Sequence, residues 1–126
     1  VSIYYITMAA TILFVDDESE MLELYELVHG SEYTVLTAAS GEEALDVFGD
    51  HIDFAFFDRR MPDMSGDEVI RTLREEGYQT PFGIISAIDP DGEIDIEYQT
   101  YLTKPMDKDE VRTTIQQHVP ASATDG

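Results

Sequence analysis

The stretch Asp53-Phe54-Ala55-Phe56-Phe57-Asp58, continued by Arg59-Arg60-Met61-Pro62-Asp63-Met64-Ser65-Gly66, decides the fold. A strand with one wet face alternates apolar and polar side chains. Residues 53–57 do not alternate after Asp53, so the run predicts a strand covered on both faces. It ends on an acid, Asp58. A loop with Pro62 follows, and Ser65 with Glu68 three residues later forms a helix-opening pair.

The same unit repeats to either side. Residues 11–15 (TILFV) form a short apolar run ending in Asp16-Asp17. Met21, Leu24, Tyr25 and Val28 then fall at helical spacing, stopped by Gly30. Tyr33 to Ala38 is a β-branched, apolar second strand. Ser40-Gly41-Glu42-Glu43 reads as a capping box opening a helix with Ala44, Leu45, Val47 and Phe48. The helix after Ser65 carries Val69, Ile70 and Leu73 and ends at Gly77. Residues 81–86 (PFGIIS) predict a fourth strand, Tyr101 to Thr103 a short fifth. Asp107 caps a last helix bearing Val111, Ile115 and Val119.

Alternating strands and helices predict an α/β fold, a doubly wound five-stranded parallel sheet with right-handed crossovers. In such sheets ligands bind beyond the carboxyl ends of the strands. That rule gathers Asp16, Asp17, Asp58, Ser86 and Lys104 on one rim, since each ends or follows a strand. The organisation reads as an N-terminal extension (residues 1–10), a single domain (11–119) and a tail or linker start (120–126), with no repeat or low-complexity block.

Composition narrows the classes. The chain has 126 residues, enough for one cored domain, and 43% of them are hydrophobic, which argues against disorder. It has no cysteine, so thiolate chemistry and disulfides are excluded. No apolar run approaches the roughly 18 residues that span a bilayer. Residues 1–10 lack the basic start of a signal peptide. The expectation is a cytoplasmic protein without a membrane partner. Asp and Glu number 27 against 7 Lys and Arg, a net charge of −20. Such a field repels nucleic acid, so no direct nucleic-acid contact is expected. The acidic surface is also compatible with halophily.

Three carboxylates on one rim repel each other unless a cation neutralises them. Oxygen ligands without His or Cys suit Mg2+, with Mn2+ as a substitute. Lys104 adds a compact charge for a phosphoryl oxygen, and Ser86 a hydroxyl donor. Asp58 can then act as a carboxylate nucleophile forming an aspartyl phosphate.

Together, VDDE (15–18), FFDRRMPDMSG (56–66), ISA (85–87) and YLTKP (101–105) resemble the receiver domain of two-component response regulators over roughly residues 11–119. The resemblance implies a flavodoxin-like (βα)5 fold with strand order 2-1-3-4-5. It implies that Asp58 takes a phosphoryl group from a histidine kinase or phosphotransfer protein, making the chain a signalling switch rather than an enzyme acting on a separate substrate. Asp17 would bind Mg2+ directly and Asp16 mostly through water, with Asp58 and the Arg60 backbone carbonyl completing the protein ligands. Lys104 would pair with the phosphoryl group, Ser86 would shift to hydrogen-bond it, and Tyr101 would rotate inward. The Lys104–Pro105 peptide would be cis. A downstream output protein or a C-terminal effector domain would read the state.

Two alternatives stand beside this reading. One is a Mg2+-dependent phosphohydrolase of haloacid-dehalogenase type, which needs an acid two residues after its nucleophile, where this chain has Arg60. The other is a degenerate receiver that only binds. The segment between Ser86 and Lys104 is short and rich in turn residues, so the fourth helix of the resemblance is expected to be shortened or missing, the segment mobile, and any dimer to use another surface, such as the first or last helix. The alternating acids at 89–97 do not match a calcium loop. Arg59 and Arg60 read as local charge balance, with Arg60 reaching over the site as the alternative. Met61 and Met64 read as packing residues, and His29, His51 and His118 as surface histidines.

Overall fold

The computed structural model describes residues 10–87, 98–104 and 107–119. The strands are β1 (Thr11–Val15), β2 (Thr34–Ala38), β3 (Phe54–Asp58), β4 (Phe82–Ser86) and β5 (Thr100–Thr103). The helices among the described residues are α1 (Ser19–His29), α2 (Gly41–Val47), α3 (Gly66–Glu75) and α4 (Lys108–His118). All pairings are parallel, in the order β2-β1-β3-β4-β5. The expectations for most of residues 1–10, for the missing fourth helix and mobile segment, for the acids at 89–97, for the Lys104–Pro105 peptide and for the tail fall largely on residues outside those described.

The period of two along each strand separates two cores. Leu13, Val15, Ala55 and Phe57 face one way and pack with Ala44 of α2 and Val69, Ile70 and Leu73 of α3. Ile12, Phe14, Phe54 and Phe56 face the other way and pack with Leu22 and Tyr25 of α1 and Val111 and Ile115 of α4. β3 is buried along its whole length, as its unbroken apolar run requires. The second core is aromatic: Phe14 stacks on Tyr25 at 4.4 Å and on Phe56 at 5.2 Å between ring centroids.

Helix starts follow the sequence. The Ser40 hydroxyl accepts from the Glu43 N–H at 3.1 Å, and that of Ser65 from the Glu68 N–H at 3.2 Å. At Asp107 the box is reciprocal: its carboxylate accepts from the Glu110 N–H, and Glu110 accepts from the Asp107 N–H. Gly77 ends α3 with φ of 98°, the left-handed region that glycine enters without a Cβ clash.

Two expectations need correction. The buried stripe of α1 is Leu22, Tyr25 and His29, while Leu24 is exposed. The helix is rotated from the expected stripe because Phe14 needs flat partners, and Tyr25 and His29 supply them. His29 is therefore not a surface histidine. It is 3% exposed and stacks on Phe14 at 5.6 Å. His51 is exposed as expected, and His118 is half-buried with Nδ1 2.8 Å from the Thr114 carbonyl.

Candidate functional site

The sheet delivers each predicted residue to the carboxyl rim. Asp16 follows β1, its N–H donating to the Ala38 carbonyl at the end of β2. Asp58 is the last residue of β3 and Ser86 the last of β4. Beyond the β4–β5 ladder, the Lys104 N–H donates to the Ser86 carbonyl at 2.7 Å, fixing these two residues relative to each other. Gly66 opens α3 against the acceptor strand. A Cβ there would collide with the Asp58 carbonyl oxygen, so the close approach requires glycine.

Carboxylate oxygens of Asp16, Asp17 and Asp58 lie within 4.8 Å of one another. Asp16 and Asp58 are buried and Asp17 is exposed. Lys104 Nζ is 3.0 Å from Asp16 Oδ2 and 3.6 Å from Asp58 Oδ2. Asp16 Oδ1 accepts from the Glu18 N–H at 2.9 Å, and Asp58 Oδ1 from the Arg60 N–H at 3.3 Å. One ammonium thus serves two buried carboxylates, and the cluster keeps an excess of negative charge. Burial, then repulsion from Asp16, push the Asp58 carboxyl up to about 6, against the pull of Lys104. Burial works against the Lys104 ammonium too, but Asp16 and Asp58 together raise it above its ordinary value.

This donor set fits a hard divalent cation. It offers three oxygen ligands in reach of a common point, one of them open to solvent, with too little positive charge nearby to balance them. The Arg60 side chain is exposed, and its backbone N–H turns toward Asp58. Ser86 is buried beside the acceptor strand. Tyr101 is half-buried on β5, its ring edge-on to Tyr98 at 6.2 Å. Met61 and Met64 pack into or against the first core, as expected of loop-motif residues.

The response regulator receiver domain family matches residues 12–116 of this chain. The chain belongs to the response regulator receiver domains. Its relatives agree. The cell cycle transcriptional regulator CtrA of Caulobacter vibrioides is 36% identical over 113 residues, covering 82% of this chain and 48% of that protein. An inferred transcriptional regulator of Haloferax volcanii is 34% identical over 108 residues, covering 84% of this chain and 19% of that protein. The receiver therefore spans half or less of these relatives. Among solved structures, the response regulator TrrA of Thermotoga maritima, in complex with Mg2+ and BeF, aligns with a TM-score of 0.77 and 29% identity, covering 87% of this chain and 99% of that one. A receiver domain protein of Clostridium thermocellum aligns with a TM-score of 0.77 and 27% identity, covering 86% and 93%. The receiver is a phosphoacceptor switch module of two-component signalling.

One polar feature follows the local charge balance read for Arg59, and a second escaped the sequence reading. Arg59 Nε pairs with Asp67 Oδ2 at 3.2 Å, tying the residue after the acceptor to the start of α3. At the other end of the second core, the buried carboxylate of Glu32 accepts a two-pronged contact from Arg112, with Nε to Oε2 at 2.7 Å and Nη2 on Oε1, and lies 3.5 Å from Lys108 Nζ. Glu32 and Arg112 are 80 residues apart and no motif joins them. The available hint was the position of Lys108 and Arg112 at helical spacing in so acidic a chain.

Proposed function

We propose that Asp58 is the phosphoacceptor of this receiver. It would be phosphorylated by a histidine kinase or a phosphotransfer protein in the cytoplasm and read by an output protein or an attached effector domain. The observation that carries the reading is the single ammonium of Lys104 set between the two buried carboxylates Asp16 and Asp58. At neutral pH Asp58, with its carboxyl held near 6, is mostly ionised and able to attack. One carboxylate oxygen forms the bond to phosphorus while the bond to the donor's nitrogen or oxygen breaks, and the donor leaves with that electron pair.

Asp17, Asp16, Asp58 and the Arg60 carbonyl are the residues that would hold Mg2+, or Mn2+ in its place. The bound cation would supply charge neutralisation between acceptor and donor, both anionic. Lys104, freed from part of its hold on Asp58, would pair with a phosphoryl oxygen. Ser86 would donate a hydrogen bond to another. Its movement would open room for Tyr101 to turn inward, carrying the change to β5.

The test is incubation of the chain with Mg2+ and acetyl phosphate. A labile phosphate on Asp58, absent from Asp58→Ala and lost on removing the cation, is the expected result. Label on Asp16 or Asp17, or equal labelling of Asp17→Ala, would remove the assignment. Ser86→Ala and Tyr101→Ala should accept phosphate yet transmit poorly.

A further inference from the structure

Between α1 and α4, behind Lys104, lies a cavity of about 280 Å³, close to the lower end of the roughly 300–1,000 Å³ that small-molecule sites occupy. Its walls are largely apolar, with Met21, Val28 and Val111 among them. Two further lining residues, Tyr25 and His29, are each more than nine-tenths buried, and the Tyr25 hydroxyl and His29 Nδ1 have no hydrogen-bond partner among the described residues. Buried polar atoms are seldom left so, because an unmet donor or acceptor forfeits its interaction with water. Both rings are held by stacking on Phe14, at 4.4 and 5.6 Å, so the atoms cannot readily turn to other partners.

The charge around the cavity is mixed: Asp107 lines it too, its carboxylate engaged by the Glu110 N–H, and Asp16 and Asp58 hold the Lys104 ammonium. The chain, at net −20, contains two lysines, Lys104 and Lys108, and both line the cavity. Burial and the nearby Asp16 and Asp58 keep the Tyr25 phenol protonated, so it offers an O–H. Burial also holds His29 below its usual range, leaving a neutral ring that can present an N–H at Nδ1. Lys108 is about half exposed and can swing its ammonium from Glu32 toward the cavity mouth. Donors at one end, with apolar walls and the capped Asp107 elsewhere, describe a complementary ligand with an acceptor head and a short greasy body.

We propose that this cavity binds a small amphipathic carboxylate, its head on Tyr25, His29 and Lys108 and its apolar body against α1 and α4. Lys104 forms part of the wall and bonds Asp16 and Asp58 from the other side, so occupancy is coupled to the acceptor. That coupling, unlike the binding, rests on the function proposed above.

The experiment titrates the full chain with phenylacetate, 4-phenylbutyrate and octanoate, using the amide of 4-phenylbutyrate as the uncharged control. Backbone amide spectra report binding, and acetyl phosphate labelling reports the acceptor. Saturable shifts centred on residues 21–29, 104 and 107–111, with at least one carboxylate binding tenfold or more above the amide, are expected. Affinity should fall at least fivefold in Tyr25→Phe, in His29→Phe and in Lys108→Gln, while labelling without ligand stays at the parent's rate. Val28→Phe, which fills the cavity with an apolar ring, should block binding without removing any polar group. No saturable shift with any of the three acids, or binding untouched by all four substitutions, would overturn the site and leave the two orphan atoms to water alone. Binding with unchanged labelling would overturn the coupling. A parent that takes no phosphate without ligand would count against the acceptor assignment and leave the binding result standing.

Discussion

Two clusters of acids and bases sit at the edges of this receiver's second core, and they are built to opposite charge balances. At the rim, Asp16, Asp17 and Asp58 share Lys104. Near the start of β2, Glu32 receives Arg112 and Lys108, and Arg112 also reaches Asp109. The first cluster has too few cations, and the Asp58 carboxyl is raised to about 6, chiefly by burial and then by Asp16. The second has enough, and the Arg112 hydrogen bonds, against a smaller opposing effect of burial, lower the Glu32 carboxyl. Lys or Arg and a carboxylate are therefore not a functional signature in themselves. A satisfied pair fastens α4 to the loop before β2. An unsatisfied one leaves free energy to be released by a cation or a phosphoryl group.

The largest break in this comparison is Asp58→Asn. Phosphate incorporation should fall to background, while Glu32→Gln should label like the parent; mass spectrometry of the two variants side by side decides this. The same pair separates in pH. Asp58 has a folded value above its unfolded one, so its contribution to stability is complete below about pH 4 and is lost as pH rises through about 6. Asp58→Asn should thus be more stable than the parent above pH 7, by about 1–2 kcal/mol once solvent screening at the rim is allowed for, and the gain should vanish near pH 4. Urea titrations at several pH values measure it. Glu32 has the opposite sign: its contribution is present above its unfolded value and lost as pH falls through the lowered folded one.

Adding Mg2+ should stabilise the parent, by about 2.7 kcal/mol at a hundred times its dissociation constant, and should do much less for Asp17→Ala. Equal thermal shifts in the two proteins would show that the cation binds elsewhere. Glu32→Gln should cost about 1 kcal/mol in urea, the range of a partly solvated ion pair, and the loss should shrink in high salt. The smallest effect is expected from Asp107→Ala. It removes half of the reciprocal cap on the helix that carries Lys108 and Arg112, for about 0.5–1 kcal/mol, with phosphate incorporation unchanged.

Much of this molecule was legible in its residues. The unbroken run Phe54-Ala55-Phe56-Phe57 required a strand covered on both faces, and alternating units on either side required parallel pairing. Helix starts at Ser40, Ser65 and Asp107 were readable because a cap is a local bond between neighbours. Even the gathering of Asp16, Asp58, Ser86 and Lys104 followed from one rule, that parallel strands all end on the same rim.

Tertiary structure alone decided the rest. The rotation of α1 that buries His29 depends on the shape of Phe14 across the core, and periodicity cannot rank Leu24 against His29 without it. The pairing of Glu32 with Arg112 and the cavity flanked by both lysines join residues far apart along the chain. The raised carboxyl of Asp58 depends on how deeply it is buried and on the count of cations within a few ångströms. Local propensity and periodicity act between neighbours in sequence, so a single chain displays them openly. Charge balance and burial act through space, between groups whose distance is known only once the chain has closed on itself.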